Sequence, residues 1–173
     1  MSINEKVKNS SAFIDDDLDE EMEDTQEDKY LTFVLNREEY GIEIKHVIEI
    51  IGIQNITSVP DMPSYIKGVI NLRGKVIPVM DVRMRFNISE QAYNERTCII
   101  VITVNEQLVG LIVDEVSEVL DIPKSSVEPP PKVSRGAGNK FVHGMGKVGD
   151  AVKILLNADR LLFEEDLEKI AAL

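Results

Sequence analysis

GVINLRGKVIPVMD, residues 68–81, is predicted to form a β-hairpin of two short apolar strands joined by a tight Arg-Gly turn. Val and Ile dominate both arms, and β-branched residues favour strands. Gly74 suits the turn because glycine adopts left-handed backbone conformations at little cost. Arg73 therefore lies at the corner of a largely apolar hairpin, where its charge needs either solvent or a partner.

The chain repeats one pattern of strands and turns. LTFVLNREEYGIEIKHVIEI, which begins at Leu31, resembles IVITVNEQLVGLIVDEVSEV, which begins at Ile100, at an offset of 69 residues. GVINLRGKVIPVMDVRMRF, from Gly68, resembles GMGKVGDAVKILLNADRLL, from Gly144, at an offset of 76 residues. Alternating apolar residues and polar turns predict about five strands and one short helix for each copy.

This repeat predicts a mainly β fold. A five-stranded sheet has exposed edges, and closure into a small barrel removes them. We therefore expect two five-stranded β-barrels side by side, with a groove at their junction. Asp81 and Asn157 each precede a helical pattern and are predicted N-caps. The stretch 157–173 is predicted to form a C-terminal helix.

Charge divides the chain into an arm and a folded part. Residues 15–28 hold ten of the acidic residues and no basic residue, so residues 1–28 are predicted to be a disordered acidic arm. Residues 29–173 are predicted to be one domain of two intertwined barrel lobes. This part is nearly neutral and poor in aromatic residues, which argues against the alternative of a nucleic-acid-binding barrel.

Residues that could carry catalysis or bind a cofactor are sparse. His46 and His143 lie far from any nucleophile pattern, and Cys98 is predicted to be a buried thiol in an apolar strand. GMGKVG, residues 144–149, fits a dinucleotide-binding pattern, but a strand rather than a helix is predicted to follow it. We therefore expect no catalytic residue, cofactor or metal site, and we interpret these glycines as turn residues. The alternative, a small nucleotide-binding barrel, is open to a nucleotide-binding assay.

Targeting signals are not evident in the sequence. The N-terminus lacks the apolar stretch of a signal peptide, and the longest apolar run, residues 98–102, is too short to span a bilayer. We expect a cytoplasmic protein with no direct membrane insertion.

Arg73 is the most informative charged residue of the folded part. The matching position in the second copy is Gly149, so the fold does not require arginine there. A planar guanidinium suits recognition of carboxylate or carbonyl groups, and arginine is enriched at interfaces. The alternative is a solvated turn charge without a partner.

Three stretches resemble the CheW family of bacterial chemotaxis adaptors: YGIEIKHVIEI from Tyr40, PSYIKGVINLRGKVIPVMDVR from Pro63, and VGLIVDEVSEVL from Val109. The resemblance covers residues 30–165, and the I-K-G-x-x-N-L-R-G-x-x-x-P-x-x-D-x-R pattern matches throughout. It implies a fold of two five-stranded SH3-like β-barrels and a protein without catalytic activity.

The same resemblance implies two partners: the cytoplasmic tip of transmembrane chemoreceptors and the regulatory domain of the histidine kinase CheA. It also implies recruitment to receptor arrays at the inner face of the membrane. CheW-like modules also occur fused to a receiver domain or within the kinase, but we expect a free-standing adaptor here.

Receptor contacts in the family lie in the groove between the barrels. Carried over to this sequence, they fall on Val47, Glu49, the strand around Cys98, and Arg73. With Val116, Val47 is expected to line an apolar groove that accepts one face of a receptor helix. The resemblance leaves the kinase-binding residues open.

Overall fold

The computed structural model describes residues 26–131 and 140–162. The predicted acidic arm up to residue 25, most of the loop at 129–140, and the predicted C-terminal helix beyond Leu162 lie outside the described residues.

The described residues form eleven strands and few helical turns. The strands are β1 (Lys29–Leu35), β2 (Glu38–Glu43), β3 (Val47–Gly52), β4 (Ile66–Leu72), β5 (Lys75–Asp81), β6 (Cys98–Val104), β7 (Gln107–Val113), β8 (Glu115–Asp121), β9 (Val127–Glu128), β10 (Val142–Val148) and β11 (Ala151–Leu156). Helix α1 spans Val82–Arg85, and short 3-10 turns cover Ile44–His46, Lys124–Ser126 and Ala158–Arg160.

The strands form two mixed sheets that exchange hairpins. The six-stranded sheet has the order β8-β1-β2-β11-β10-β9, and the five-stranded sheet has the order β3-β6-β7-β5-β4. Hairpin β1–β2 comes from the first sequence copy but lies among strands of the second copy. Hairpin β6–β7 makes the reciprocal exchange, so each sheet contains strands from both copies.

The mainly β class is confirmed, but hydrogen bonding closes neither sheet into a barrel within the described residues. The five-stranded sheet curls so that the chain after β3 reaches the opposite edge, where Thr57 and Val69 exchange backbone hydrogen bonds of 2.9 and 2.8 Å. Pro60 and Pro63 interrupt the same connecting segment. Because proline has no N–H to donate, the part of this segment after Thr57 disfavours extension of the single bridge into a full strand pair.

The main core lies between the two sheets. Its buried side chains come from both of them, with Leu31, Phe33 and Ile42 on one sheet and Ile100 and Ile102 on the other. A second cluster, including Ile70, Ile77, Val79, Ile99, Val101 and Ile112, lies within the curl of the five-stranded sheet. Burying this apolar surface is the main favourable contribution to folding.

Three of the hairpins are joined by two-residue turns with the same backbone conformation. In the turns Asn36–Arg37, Arg73–Gly74 and Asn105–Glu106, both residues have positive φ. Two-residue turns of this hand match the twist of the flanking strands. The quoted hairpin is therefore confirmed, with Arg73 at φ 51° and Gly74 at φ 88°.

Both predicted caps are present. Asp81 accepts a hydrogen bond from the Met84 N–H at the start of α1, at 3.4 Å. Asn157 accepts one from the Asp159 N–H at 3.0 Å, although the segment that follows is a 3-10 turn.

GMGKVG lies on hairpin β10–β11, with a strand after it, as predicted. The interpretation of all its glycines as turn residues is wrong. Only Gly149, at φ 59°, occupies the turn. Gly144 and Gly146 lie within β10, where an added Cβ would come within 2.6 Å of Val127 or 3.2 Å of Ile122.

Candidate partner-binding surface

Arg73 binds Glu49 in a two-pronged ion pair. Its two terminal nitrogens donate to the two carboxylate oxygens at 3.0 and 2.8 Å. The Arg73 side chain is 77% exposed, whereas that of Glu49 is 22% exposed. The structure thus brings two of the predicted site residues together and gives the turn arginine a partner within its own chain.

Strand order shows how this pair forms. Glu49 lies on β3 at one edge of the five-stranded sheet, and Arg73 lies at the tip of the hairpin that includes the opposite edge strand, β4. The curl of the sheet brings these two places together. Asn71 accepts a hydrogen bond from the Gly74 N–H at 2.9 Å, which supports the turn that presents Arg73.

A β-bulge in β3 turns Val47 and Glu49 in different directions. Val47 pairs with Ile102, and Glu49 pairs with the adjacent Val101, so Ile48 is the extra residue. Val47 is half-buried and packs against the main core, on the same side as Ile102. Glu49 lies on the opposite face, where Arg73 reaches it.

Val116 occupies the equivalent place in the second copy. It lies on β8, at the edge of the six-stranded sheet, pairs with Phe33, and also packs against the main core. A bulge follows it, and the buried Thr32 hydroxyl donates to the Glu118 carbonyl at 2.7 Å there. Val47 and Val116 therefore flank the same core from two different sheets.

Cys98 begins β6, beside Gly52 at the end of β3. It is half-buried rather than fully buried, and its thiol donates to the Arg96 carbonyl at 3.2 Å. It packs against the main core, and a Cβ added at Gly52 would meet no atom within 4 Å. Open space therefore adjoins Cys98.

Two exposed apolar residues on the main-core side of β3 and β8 were missed by the sequence reasoning. Ile50 on β3 and Val119 on β8 are 44% and 51% exposed. Ile50 pairs with the core residue Ile100, and Val119 pairs with the core residue Leu31. The repeat carried the signal, because the two positions are equivalent at the offset of 69 residues and both are apolar.

We define the edge surface as the exposed or half-buried apolar residues on the main-core side of the edge strands β3 and β8 and at the adjoining start of β6, namely Val47, Ile50, Cys98, Val116 and Val119. Arg73 and Glu49 form a charged pair at the same edge strand, on the face of β3 opposite Val47. Exposed apolar residues on edge strands are typical of surfaces that another protein covers.

Arg83 and Asp114 form a second ion pair, at the crossover between the sheets. Arg83 Nε and Nη2 donate to Asp114 Oδ1 and Oδ2 at 2.6 and 2.7 Å. Burial alone would raise the pKa of Asp114, but hydrogen bonds from Arg83 and the Asn36 N–H, together with the Arg83 charge, outweigh burial and lower it. Asp114 therefore stays ionised and holds Arg83.

Among the described residues, no three or more His, Cys, Asp or Glu side chains are grouped so that they could hold a metal ion. Within residues 26–131 and 140–162, no helix is long and apolar enough to cross a membrane.

Comparison with known proteins gives matches to a single protein family. The profile of the CheW-like domain matches residues 29–166. The Chemotaxis protein CheW of Bacillus subtilis is 41% identical over 138 residues, which cover 80% of this chain and 88% of that protein. The Chemotaxis protein CheW of Klebsiella aerogenes is 36% identical, over 80% of this chain and 84% of that protein.

A solved structure extends this likeness to three dimensions. The scaffolding protein TtCheW from Thermoanaerobacter tengcongensis is 38% identical and superposes with a TM-score of 0.74. The match covers 80% of this chain and 94% of TtCheW.

Proposed function

Because the chain belongs to the CheW family, it is a non-catalytic adaptor of bacterial chemotaxis, and we propose that its direct partners are a chemoreceptor and the kinase CheA. The receptor would bind through its cytoplasmic helical tip, and the kinase through its regulatory domain. These contacts would hold the adaptor, a cytoplasmic protein, in receptor arrays at the inner face of the membrane.

The observation that supports the receptor site is the Arg73–Glu49 pair beside the edge surface. A receptor helix can place apolar side chains at i, i+3, i+4 and i+7 against Val47, Ile50 and Val116. Cys98 and the open space beside Gly52 leave room for a larger side chain. The edge surface would thus supply apolar contact area, and Arg73 would fix the register of the bound helix.

Glu49 holds the guanidinium without using all of its donors. Arginine has five N–H groups, and Glu49 accepts from two of them, one on each terminal nitrogen. The remaining donors can bind a receptor carboxylate or the free carbonyls at a helix end. Because the side chain is already held in place, less conformational entropy is lost on binding.

For the kinase we propose a different place. Val152 is an exposed residue of hairpin β10–β11, which lies toward the opposite edge of the six-stranded sheet from β8 and on a different sheet from Arg73. A kinase domain that covers Val152 leaves the Arg73 hairpin free. Both partners can then be held at once, as an adaptor requires.

Calorimetric titration tests both assignments in the same protein. The wild-type chain should bind a soluble receptor-tip fragment and, separately, the kinase regulatory domain. Arg73→Glu should weaken only the receptor fragment, and Val152→Asp should weaken only the kinase domain. Loss of both partners from either single variant, with the fold intact, would contradict separate binding sites.

A further inference from the structure

We propose that Arg83 and Asp114 are a positioning pair that sets the separation of the two halves of the edge surface. The inference rests on the proposed function for its effect on receptor binding. Neither residue belongs to the edge surface itself. Their role would be to fix where β8, with Val116 and Val119, lies relative to β3, with Val47.

Asp114 is the single residue between β7 and β8, where the chain passes from one sheet to the other. Its N–H donates to the Val34 carbonyl of β1 at 3.1 Å, and its Oδ2 accepts from the Asn36 N–H at 2.9 Å. Val34 lies on β1 of the six-stranded sheet, and Asn36 lies in the turn between β1 and β2.

Arg83 holds the same carboxylate from the other side. It lies on α1, directly after β5 of the five-stranded sheet, and its side chain is only 10% exposed. Besides Asp114, it donates to the Ser89 carbonyl and the Gln91 side chain, each at 2.7 Å. Asp114 thus receives hydrogen bonds from the β1–β2 turn of the six-stranded sheet and from the helix that follows β5 of the five-stranded sheet. Arg83 is itself held by the loop after α1.

The corresponding crossover in the first copy is built differently. Between β2 and β3 the chain makes the 3-10 turn Ile44–His46, and Lys45 stands where the repeat places Asp114. Lys45 is exposed and pairs with Glu43 at 3.2 Å, two residues away in the same segment. That ion pair links no distant strands, whereas the Arg83–Asp114 pair does.

Asp114→Asn is the sharpest variant because it keeps the side-chain shape. Oδ1 accepts from Arg83, and Oδ2 accepts from both Arg83 and the Asn36 N–H. An amide nitrogen at either position would face an N–H donor, so asparagine cannot satisfy all three donors. The start of β8 would lose its fixed position although the core residues remain.

Two readouts separate positioning from general stability. Spin labels on Ile48→Cys and Ser117→Cys, in a Cys98→Ser background, report the distance between β3 and β8 by pulsed electron resonance. Titration of the receptor-tip fragment against proteins that retain Cys98 reports affinity. The control is Leu155→Ala, which removes a fully buried side chain of β11 from a third core cluster and should lower stability without touching the crossover or the Arg73 hairpin.

We expect Asp114→Asn to shift or broaden the distance distribution and to weaken receptor binding about 3- to 10-fold. Leu155→Ala should leave the distance distribution and receptor binding unchanged below its melting temperature. An Asp114→Asn protein with the wild-type distance distribution would overturn the inference, and so would equal changes in both variants. If the wild-type protein does not bind the fragment, the proposed function fails, and the distance measurement alone decides this inference.

Discussion

The environment of Arg73 could be predicted from the sequence only in part. Its exposure at a hairpin turn was predicted from the apolar arms around it and from the adjacent glycine. Glu49 as its partner was not predicted from the residues, because the contact depends on the curl of the sheet, which spacing along the chain does not record. The two residues were placed in one site only through the family resemblance.

Charge reversal at this turn is the first prediction. Arg73→Glu should weaken binding of the receptor-tip fragment by about 1–3 kcal/mol, since it removes a charged hydrogen-bond donor from the interface. The free energy of unfolding should change by less than about 1 kcal/mol, because exposed ion pairs contribute little to stability. Titration and urea unfolding measure the two quantities.

The matched control exchanges the two charges. Glu49→Arg combined with Arg73→Glu restores an ion pair but places the positive charge on β3. If the pair serves only the fold, this double variant should bind the receptor as the wild type does. If Arg73 contacts the receptor directly, binding should stay weak.

Asp114 gives a prediction about pH. Its folded-state pKa lies below the usual value of about 3.9, so its contribution to stability is present above that pH and is lost as the pH falls through the folded-state pKa. The stability difference between wild type and Asp114→Asn should therefore be about 1–3 kcal/mol at pH 7. It should shrink below about pH 4. Urea midpoints of both proteins across this range would show it, and a difference that grows on acidification would contradict it.

At the scale of strands, the repeat predicted the elements but not which hairpins are exchanged between the sheets. Period-two alternation identified both copies of the hairpins, and the turns at Asn36 and Asn105 lie where the repeat places them. Alternation gives no information on which sheet a hairpin joins, because either sheet would bury the same apolar face. The exposed Ile50 and Val119 were missed for a related reason, since alternation alone does not distinguish a core residue from an exposed residue on an edge strand.

The edge surface should respond to loss of apolar side chains without loss of fold. Ile50→Ser and Val119→Ser should each weaken receptor binding by about 1–2 kcal/mol. Val152→Ser is the control for Val119→Ser, because the two valines are 50% and 51% exposed on the same sheet. Receptor affinity that falls equally in the control would show that the effect is not specific to the edge surface.

The segment after β3 meets the edge strand β4 closely at Gly68. An added Cβ there would lie 2.0 Å from the Thr57 carbonyl oxygen, and its φ of 148° disfavours other residues. Gly68→Ala should therefore lower the free energy of unfolding by about 2 kcal/mol or more. Gly52→Ala, where a Cβ meets nothing, should change it by less than about 0.5 kcal/mol. Urea unfolding of both variants would check the contrast, and equal stabilities would argue against a tight contact at Gly68.

At the scale of the molecule, the two sheets share one main core, so they should unfold together. Amide hydrogen exchange should give the same opening free energy for the most protected residues of β7 and β11, which lie on different sheets. A clearly lower value for one sheet would mean that the sheets fold as separate units. The repeat alone could not predict this, because two independent barrels would carry the same sequence pattern.

The central claim is that one chain holds a receptor and a kinase at the same time. The most direct test immobilises the receptor-tip fragment and measures retention of the kinase regulatory domain with and without this protein. We predict that the kinase domain is retained only when the wild-type chain is present, and that Arg73→Glu releases the chain and the kinase together. Retention of the chain without the kinase would contradict simultaneous binding, and failure of the chain itself to be retained would contradict the adaptor's contact with the receptor.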